Sequence, residues 1–379
     1  MDILNYIKHQ MLDHVRFCYH RLTNERVKAN FTRFKRAQNK KPSAVIKNEL
    51  NQLRLYWGYI PTQYYTYDFY SLDCGLTLDD MKKYIPSYYF YKLIFPQYDN
   101  VKNVMKFIEN KIAMNALFRE VGLKSSAVIL IKNNSRLTNF KNEFLQSKDV
   151  DEILSLLSCN KLFIKPVMGR GGKGIIIAKR SGIDFYDNGQ IVNYNYLIDL
   201  KGDYIIESEI EQHYYLNSIY SNSVNTLRAI TVRHDDGRVE FIAAILRMGV
   251  AGNEIDNCCA GGLLIGIDTN TGKCLNPFAT FSFGNQRVEY HPDSGFDFSA
   301  LQLPNWDYVK QEILSSAKKI TQLNLAGWDI AITQDGISII EVNTLFGIDG
   351  LQAGIGGIRD LFIGGEPRFL SNIYDFKGK

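Results

Sequence analysis

Among the 379 residues of this chain, one loop restricts the possible folds more than any other segment: Met168-Gly169-Arg170-Gly171-Gly172-Lys173-Gly174, set between the apolar runs "KLFIKPV" and "IIIAK". Gly169, Gly171 and Gly174 satisfy the G-x-G-x-x-G spacing of a dinucleotide-binding turn, and a strand precedes them. That fingerprint has to open a helix whose N-terminus receives the pyrophosphate, whereas the isoleucines here continue as strand. A Walker loop fails as well, because Lys173 is followed by Gly174 where Ser or Thr is required. What is left is a strand–loop–strand hairpin with four glycines and two cations, Arg170 and Lys173. Such a flap can close its N–H groups and cations over a polyphosphate, and a plain tight turn is the other reading.

A second segment, "DIAITQDGISIIEVN" at 329–343, reads as a hairpin turning on Asp335-Gly336. Glu341 and Asn343 stand two apart on one arm and must share a face, and Asp329 on the other arm can face them. Their neighbours Ile330, Ile340 and Val342 are apolar, so charge placed there needs a partner. Hard oxygen donors of this kind suit Mg²⁺, which keeps positions open for phosphate oxygens. The plainer alternative is the solvated outer face of a surface hairpin. The set is followed by "TLFGIDG", a loop able to bring a substrate close.

Arg228 and Arg247 interrupt the apolar arms of a longer hairpin, "TLRAITVRHDDGRVEFIAAILRMG", whose turn is Asp235-Asp236-Gly237. An arginine buried in a sheet demands an anion. Either these two hold phosphate and stabilise developing charge, or they pair with an acid of the chain. Lys165 interrupts its own apolar strand in the same way. Glu207 ends the strand "YIIE", after which "SEIEQHYY" changes composition as a hinge would, and Glu209 or Glu211 could reach a ribose from there. Asn257 precedes the pair Gly261 and Gly262, which permits close backbone approach to a ligand or simply makes a turn.

The remaining sequence sets boundaries on the class of protein. A formal charge of +4 is too small to indicate nucleic-acid binding. It is unevenly placed: residues 1–50 hold eleven Lys/Arg against four acids. That helical start either lies against an anionic membrane or is a solvated face. The tract from Tyr56 to Pro96 crowds tyrosines with Pro61, Pro86 and Gly75 and reads as an irregular aromatic cap, its rings serving packing or substrate contact. From Lys111 the rhythm alternates helices and strands, including an expected helix near 138–158, and Val309 to Leu323 mark an amphipathic helix. Six cysteines lack zinc spacing, His213, His234 and His291 lack catalytic companions, no eighteen-residue apolar run occurs, and no cleavable leader is expected. A cytoplasmic location is expected.

Read in order, "FIKP", the glycine hairpin, "YIIESEI", "TLRAITV", "AAILRMG" and "GWDIAITQDGISIIEVNT" resemble the ATP-grasp superfamily over residues 111–350, and the spacings of twelve and two within Asp329, Glu341 and Asn343 match its metal-ligand triplet. "AGNEIDNCCAGGLLIGIDTNTGKC", "YHPDSG", "LPNW" and the tyrosine-rich start are similar to the sugar-transfer-associated branch, found with surface-polysaccharide biosynthesis. The resemblance implies an α+β fold: a helical, tyrosine-rich cap at 1–110, then an N-lobe at 111–206 and a C-lobe at 207–379 that clamp ATP. It implies that Lys111 and Lys165 contact ATP, with Arg170, Gly171, Gly172 and Lys173 closing over it. Glu207, Ser208, Glu209 and Ile210 would form the adenine hinge, while Arg228 and Arg247 would bind phosphates and Asp329, Glu341 and Asn343 two Mg²⁺ ions. The ribose acid departs from the family pattern, since Glu209 and Glu211 compete and Tyr214 stands where some relatives have the acid. The expected reaction joins a carboxylate, such as a uronic-acid sugar, to an amine, such as an amino acid. Its rivals are a sugar kinase and a nucleotide-binding protein without turnover.

Overall fold

A computed structural model describes residues 3–98, 102–169, 171–254, 261–281 and 286–364. Within them the strands collect into two seven-stranded sheets, both antiparallel throughout. The fold is α+β, as the family resemblance implies. The first sheet contains β1 (Val128–Asn133), β2 (Arg136–Thr138), β3 (Lys161–Pro166), β4 (Ile176–Ser181), β5 (Asp184–Asp187), β6 (Gln190–Ile191) and β7 (Tyr204–Ser208). Their order across the sheet is β2-β1-β7-β3-β4-β5-β6. Leu130, Leu162, Ile164, Ala178, Phe185 and Ile206 bury one face of it beneath the helices Ser147–Leu156 and Tyr194–Asp199.

The expected helix near 138–158 is shorter than its sequence suggested. Residue 138 still belongs to β2, and the Asn139 side chain ties the next turn by accepting the N–H groups of Lys141 and Glu143 at 2.9 and 3.1 Å. A side chain that captures nearby backbone donors in this way competes with helix formation. The helix starts only at Ser147, where Gln146 and Asp149 form a capping box.

The second sheet contains β8 (Thr226–Arg233), β9 (Val239–Met248), β10 (Leu263–Ile267), β11 (Ala279–Phe281), β12 (Arg287–Val288), β13 (Leu325–Thr333) and β14 (Gly336–Asn343), in the order β12-β11-β10-β9-β8-β13-β14. Both faces are covered, which explains why its strands read as nearly continuous apolar runs. Leu227, Ala229, Leu246, Trp328 and Ile330 pack on one side with Phe118 and the helix Trp306–Lys319. On the other, Ile230, Ile245 and Leu264 meet Trp57, Ile85 and Phe90 of the cap, together with Phe346, Ile348 and Leu351. Each such side chain contributes about 1.5–3 kcal/mol on burial, so the cap is an integral layer of this sheet.

The cap consists of the helices Ile3–Thr23, Glu25–Arg36 and Ser43–Trp57, followed by short helical turns through Tyr98. Its tyrosines mostly pack, since Tyr64, Tyr67, Phe69 and Tyr70 form a buried cluster with Leu53 and Met81. The segment leading into β1 meets the second sheet where Ile339 of β14 donates its N–H to the Lys124 carbonyl at 2.8 Å. No helix of the described residues is long and apolar enough to cross a membrane.

Candidate active site

The chemistry-bearing side chains of the second sheet stand in a row. Glu341 lies opposite Asp329, and Asp329 lies opposite Arg228, so all three share a face. Arg228 is also opposite Ile245, which packs against the cap, so this is the cap-side face. Asn343 reaches back along β14, its Nδ2 donating to Glu341 Oε1 at 2.9 Å and to Asp329 Oδ2 at 3.5 Å. Arg228 grips Asp329 in a fork, Nε donating to Oδ1 and Nη2 to Oδ2 at 2.8 Å. Its Nη1 donates to the Phe346 carbonyl, and Arg247 Nη2 lies 3.3 Å from Asp329 Oδ2. Of the two readings open for these arginines, the geometry shows an ion pair with an acid of the chain, and that acid is itself a candidate metal ligand.

Asp329 is only 2% exposed. Burial alone would push its carboxyl up, but the Arg228 and Arg247 charges and the Arg228 hydrogen bonds outweigh that and hold it at about 2. Glu341 goes the other way, pushed up by burial and by the Asp329 charge beside it. A buried and a half-buried carboxylate that stand opposite each other and repel suit a hard cation, which would relieve both. Asp329, Glu341 and the Asn343 amide oxygen would be its protein ligands. Among the described residues there is no cluster of three or more His, Cys, Asp or Glu side chains. The donor set is thus two carboxylates and an amide, which leaves Mg²⁺ room for phosphate oxygens.

The cations come from β3 of the first sheet and from the helix ahead of β1. Lys165 on β3 donates to Glu207 on β7, whose other oxygen receives Asn115 Nδ2 at 3.3 Å. Lys111 opens the helix Lys111–Glu120, capped by Asn110, and its Nζ donates to the Gly169 carbonyl at 2.9 Å. Burial pushes the Lys111 ammonium down, with Glu341 opposing and Lys165 adding to the effect. The glycine loop itself holds Gly171, Gly172 and Gly174 at φ of 68°, 72° and 75°, a left-handed run that only glycine adopts without strain. Arg170 lies outside the described residues.

These groups share one open cleft between the two sheets. Lys111, Lys165, Gly171, Gly172, Lys173, Glu207, Ser208, Ile210, Arg247, Asp329 and Glu341 all line it, together with Phe163 and Ile340. Asn343 borders an adjoining hollow that shares Lys111, Gly169 and Glu341 with the main cleft. Apolar walls with a few convergent polar groups are the usual lining of a small-molecule site.

Several candidates lie elsewhere. Glu209 accepts the Asn160 N–H, and Glu211 is exposed; neither is among the cleft-lining residues. Gly261 faces open space and Gly262 leads into β10, while Asn257 lies outside the described residues. A further acid that lines the cleft is Glu254, 3.0 Å from Lys161 Nζ and 3.1 Å from Lys179 Nζ. Burial raises and the two lysines lower its carboxyl, with a net downward shift. Its loop is tied down at three points. His291 Nε2 donates to the Gly249 carbonyl at 3.0 Å, Asp293 accepts the Ala251 N–H at 2.8 Å, and Tyr220 donates to the Asn253 carbonyl at 2.9 Å. The signals were the "AGNEIDN" and "YHPDSG" segments, whose pairing no local pattern reveals.

The segment after β14 is held as firmly. Phe346 packs so close to Gly327 that a Cβ there would lie 2.4 Å from its own Cβ. Gly347 donates its N–H to the Tyr91 hydroxyl at 2.9 Å, and Gln352 exchanges hydrogen bonds with the Ile85 backbone at 2.6 and 3.0 Å. Ser87 donates to Asp349, which also lies 3.3 Å from Arg26.

Two antiparallel sheets that offer a glycine flap and paired lysines from one side, and an acidic hairpin from the other, have the plan of an ATP-grasp protein. The description of the sugar-transfer-associated ATP-grasp family matches residues 93–359, and the chain belongs to that family. No curated protein matches its sequence. Among solved structures it is similar to an ADP complex of N5-carboxyaminoimidazole ribonucleotide synthetase, 12% identical with a TM-score of 0.36 over 64% of this chain and 46% of the other. The corresponding synthetase from Staphylococcus aureus, complexed with ADP, is 11% identical with a TM-score of 0.40 over 75% and 60%. D-alanine–D-alanine ligase from Bacillus anthracis is 14% identical with a TM-score of 0.36 over 68% and 66%. The match thus spans between about half and two thirds of the length of these proteins.

Proposed function

We propose that this chain is an ATP-dependent carboxylate–amine ligase whose acceptor is an acidic sugar, with an amino acid or similar amine as its partner. The observation that carries the reading is the row Glu341, Asp329, Arg228, flanked by Arg247 and facing Lys111, Lys165 and the glycine flap in one cleft. In this reading residues 1–110 form the cap, 111–206 the flap-bearing lobe and 207–379 the metal-bearing lobe. Membership of the sugar-transfer-associated family supports the sugar and a role in capsule or other surface-polysaccharide synthesis.

Phe163, Ile210 and Ile340 supply the apolar walls for a base. Lys165, held in place by Glu207, and Lys111, held by the Gly169 carbonyl, address the phosphates. Mg²⁺ at Asp329, Glu341 and Asn343 would neutralise phosphate charge and align the γ-phosphoryl group, and the family resemblance suggests two ions. Arg247 keeps charge directed at the same point, while Arg228, its fork occupied by Asp329, fixes that ligand and the loop at Phe346. A carboxylate oxygen of the acceptor attacks the γ-phosphorus, the bond to the ADP oxygen breaks, and an acyl phosphate forms. The amine nitrogen then attacks the acyl carbon, phosphate departs, and the extra amine proton passes to solvent. Lys173 and the glycines close over the cleft and exclude the water that would otherwise hydrolyse the acyl phosphate.

The test is a phosphate-release screen of uronic acids crossed with amino acids, with products identified by mass. ADP, free phosphate and an amide are expected. ADP with a phosphorylated sugar and no free phosphate would make the chain a kinase and overturn the ligase reading.

A further inference from the structure

The helix Ile3–Thr23 has an outward face that nothing in the described structure covers. Inward, Asp13 accepts the Ile60 N–H at 2.7 Å and pairs with Arg16, and Phe17 meets Phe31 and Tyr65. His9 Nε2 bonds the Gly58 carbonyl at 2.9 Å, so this side is fixed against the cap. Outward, Met11, Leu12, Val15, Tyr19 and Leu22 recur at three- and four-residue steps and are each between 60% and 73% exposed. A continuous apolar stripe of that kind on a soluble surface marks a contact surface.

Its surroundings choose the contact. Lys8 stands one turn before Met11 and Leu12 on the same face, and it is exposed. The neighbouring helix Glu25–Arg36 turns Phe31 towards Phe17 and leaves Lys28, Lys35 and Arg36 exposed, with Glu25 the one exposed acid at its start. Asp13, the acid within the first helix after residue 3, points inward and is neutralised. The region 1–50 holds eleven cations and four acids. A second copy would set like charge against like charge and bring Lys8 into an apolar seam. At a lipid surface, by contrast, the lysine stem lies along the acyl boundary while its ammonium stays among headgroups.

We propose that this face docks on an anionic bilayer, with the Met11–Leu22 stripe entering the headgroup–acyl boundary and Lys8, Lys28, Lys35 and Arg36 meeting anionic headgroups. The inference stands on the surface itself and does not depend on which acceptor the cleft takes. Its geometry has a functional bearing all the same. Arg26, on the helix next to the stripe, lies 3.3 Å from Asp349, so the docked surface is one helix away from the segment that follows the metal hairpin.

The experiment is flotation of the full chain with vesicles of phosphatidylglycerol and phosphatidylcholine, against vesicles of phosphatidylcholine alone. Binding to the anionic vesicles is expected to exceed binding to the neutral ones by about tenfold or more, and to weaken as salt is raised. V15E/L22E should lower it by about tenfold, with circular dichroism and thermal melting unchanged because both residues are exposed. K8E/K28E/R36E gives a second, independent arm and should also lower binding by about tenfold or more. Equal binding to both vesicle types, or undiminished binding by V15E/L22E, would overturn the proposal. So would a dimer by light scattering that V15E/L22E converts to monomer without vesicles, since the stripe would then serve a second copy.

Discussion

The acidic hairpin and the glycine flap face each other across one cleft, and they are held in opposite ways. In the hairpin the side chains of the row hold one another: Asp329 receives two arginines, Asn343 donates to Glu341, and β13 pairs with strands on both sides. The flap carries three glycines in left-handed geometry and is tied at its base through the Gly169 carbonyl to Lys111. One side therefore fixes where charge is held, while the other, under the proposed function, closes onto whatever is bound. A cleft that must admit a charged ligand and then exclude water needs both properties at once.

The hairpin side is the more sensitive to breakage. Asp329→Ala removes a proposed cation ligand and strands Arg228 and Arg247 without their counter-charge. Phosphate release should fall by at least about 10³-fold and stability by about 3–5 kcal/mol. A variant that turns over normally, or that melts like the native chain, would show that the row is not the rigid half of the site. The flap should respond in the reverse proportion. G171A/G172A places Cβ atoms at positive φ, at about 1 kcal/mol each. It should lower kcat/KM for ATP by about tenfold to a hundredfold through impaired closure, with little change in melting temperature.

A smaller effect sharpens the rigid side. Gly327→Ala pushes against Phe346, and about 1–3 kcal/mol of destabilisation is expected, with the larger kinetic change in KM for the acceptor rather than for ATP. The smallest effect concerns the clasp on the Glu254 loop. His291 is buried with Nδ1 accepting the Asp293 N–H and Nε2 donating to Gly249, so burial pushes its imidazole below the ordinary value, the Gly249 carbonyl and Asp293 opposing. The unfolded chain then binds the proton more readily than the fold. The stability that His291 supplies is complete above the unfolded value of about 6.5 and declines as pH falls through it. Melting temperatures at pH 7.5 and 5.5 should differ less for His291→Gln than for the native chain.

How far the sequence reaches depends on what fixes each part. Glu341 and Asn343 were legible as a pair because strand periodicity puts residues two apart on one face, whereas Asp329 joins them through a bulge beside Ile330 that shifts it from Ile340, where the register of the turn would set it, to Glu341. Arg228 and Arg247 were legible as interruptions of apolar strands, but neither the bulge between Ile230 and Thr231 that puts them on one face nor their shared partner, 101 residues from Arg228, was. Glu209 and Glu254 were not legible for the complementary reason. Glu209 is turned by the Asn160 N–H and Glu254 is aimed by lysines on β3 and β4, contacts that no local pattern encodes. The expected helix at 138–158 was overextended because apolar spacing was visible and the capture of backbone donors by Asn139 was not.

The fastening of the cap to the segment after β14 also bears on inheritance. Tyr67, Ile85, Ser87 and Tyr91 are partnered with Gly347, Asp349 and Gln352, more than 250 residues further along the chain. Neither stretch can drift alone without leaving a buried polar group stranded. Lineages that change what they accept at this cleft should therefore carry paired substitutions at both ends, so that the two stretches vary as a single hereditary unit.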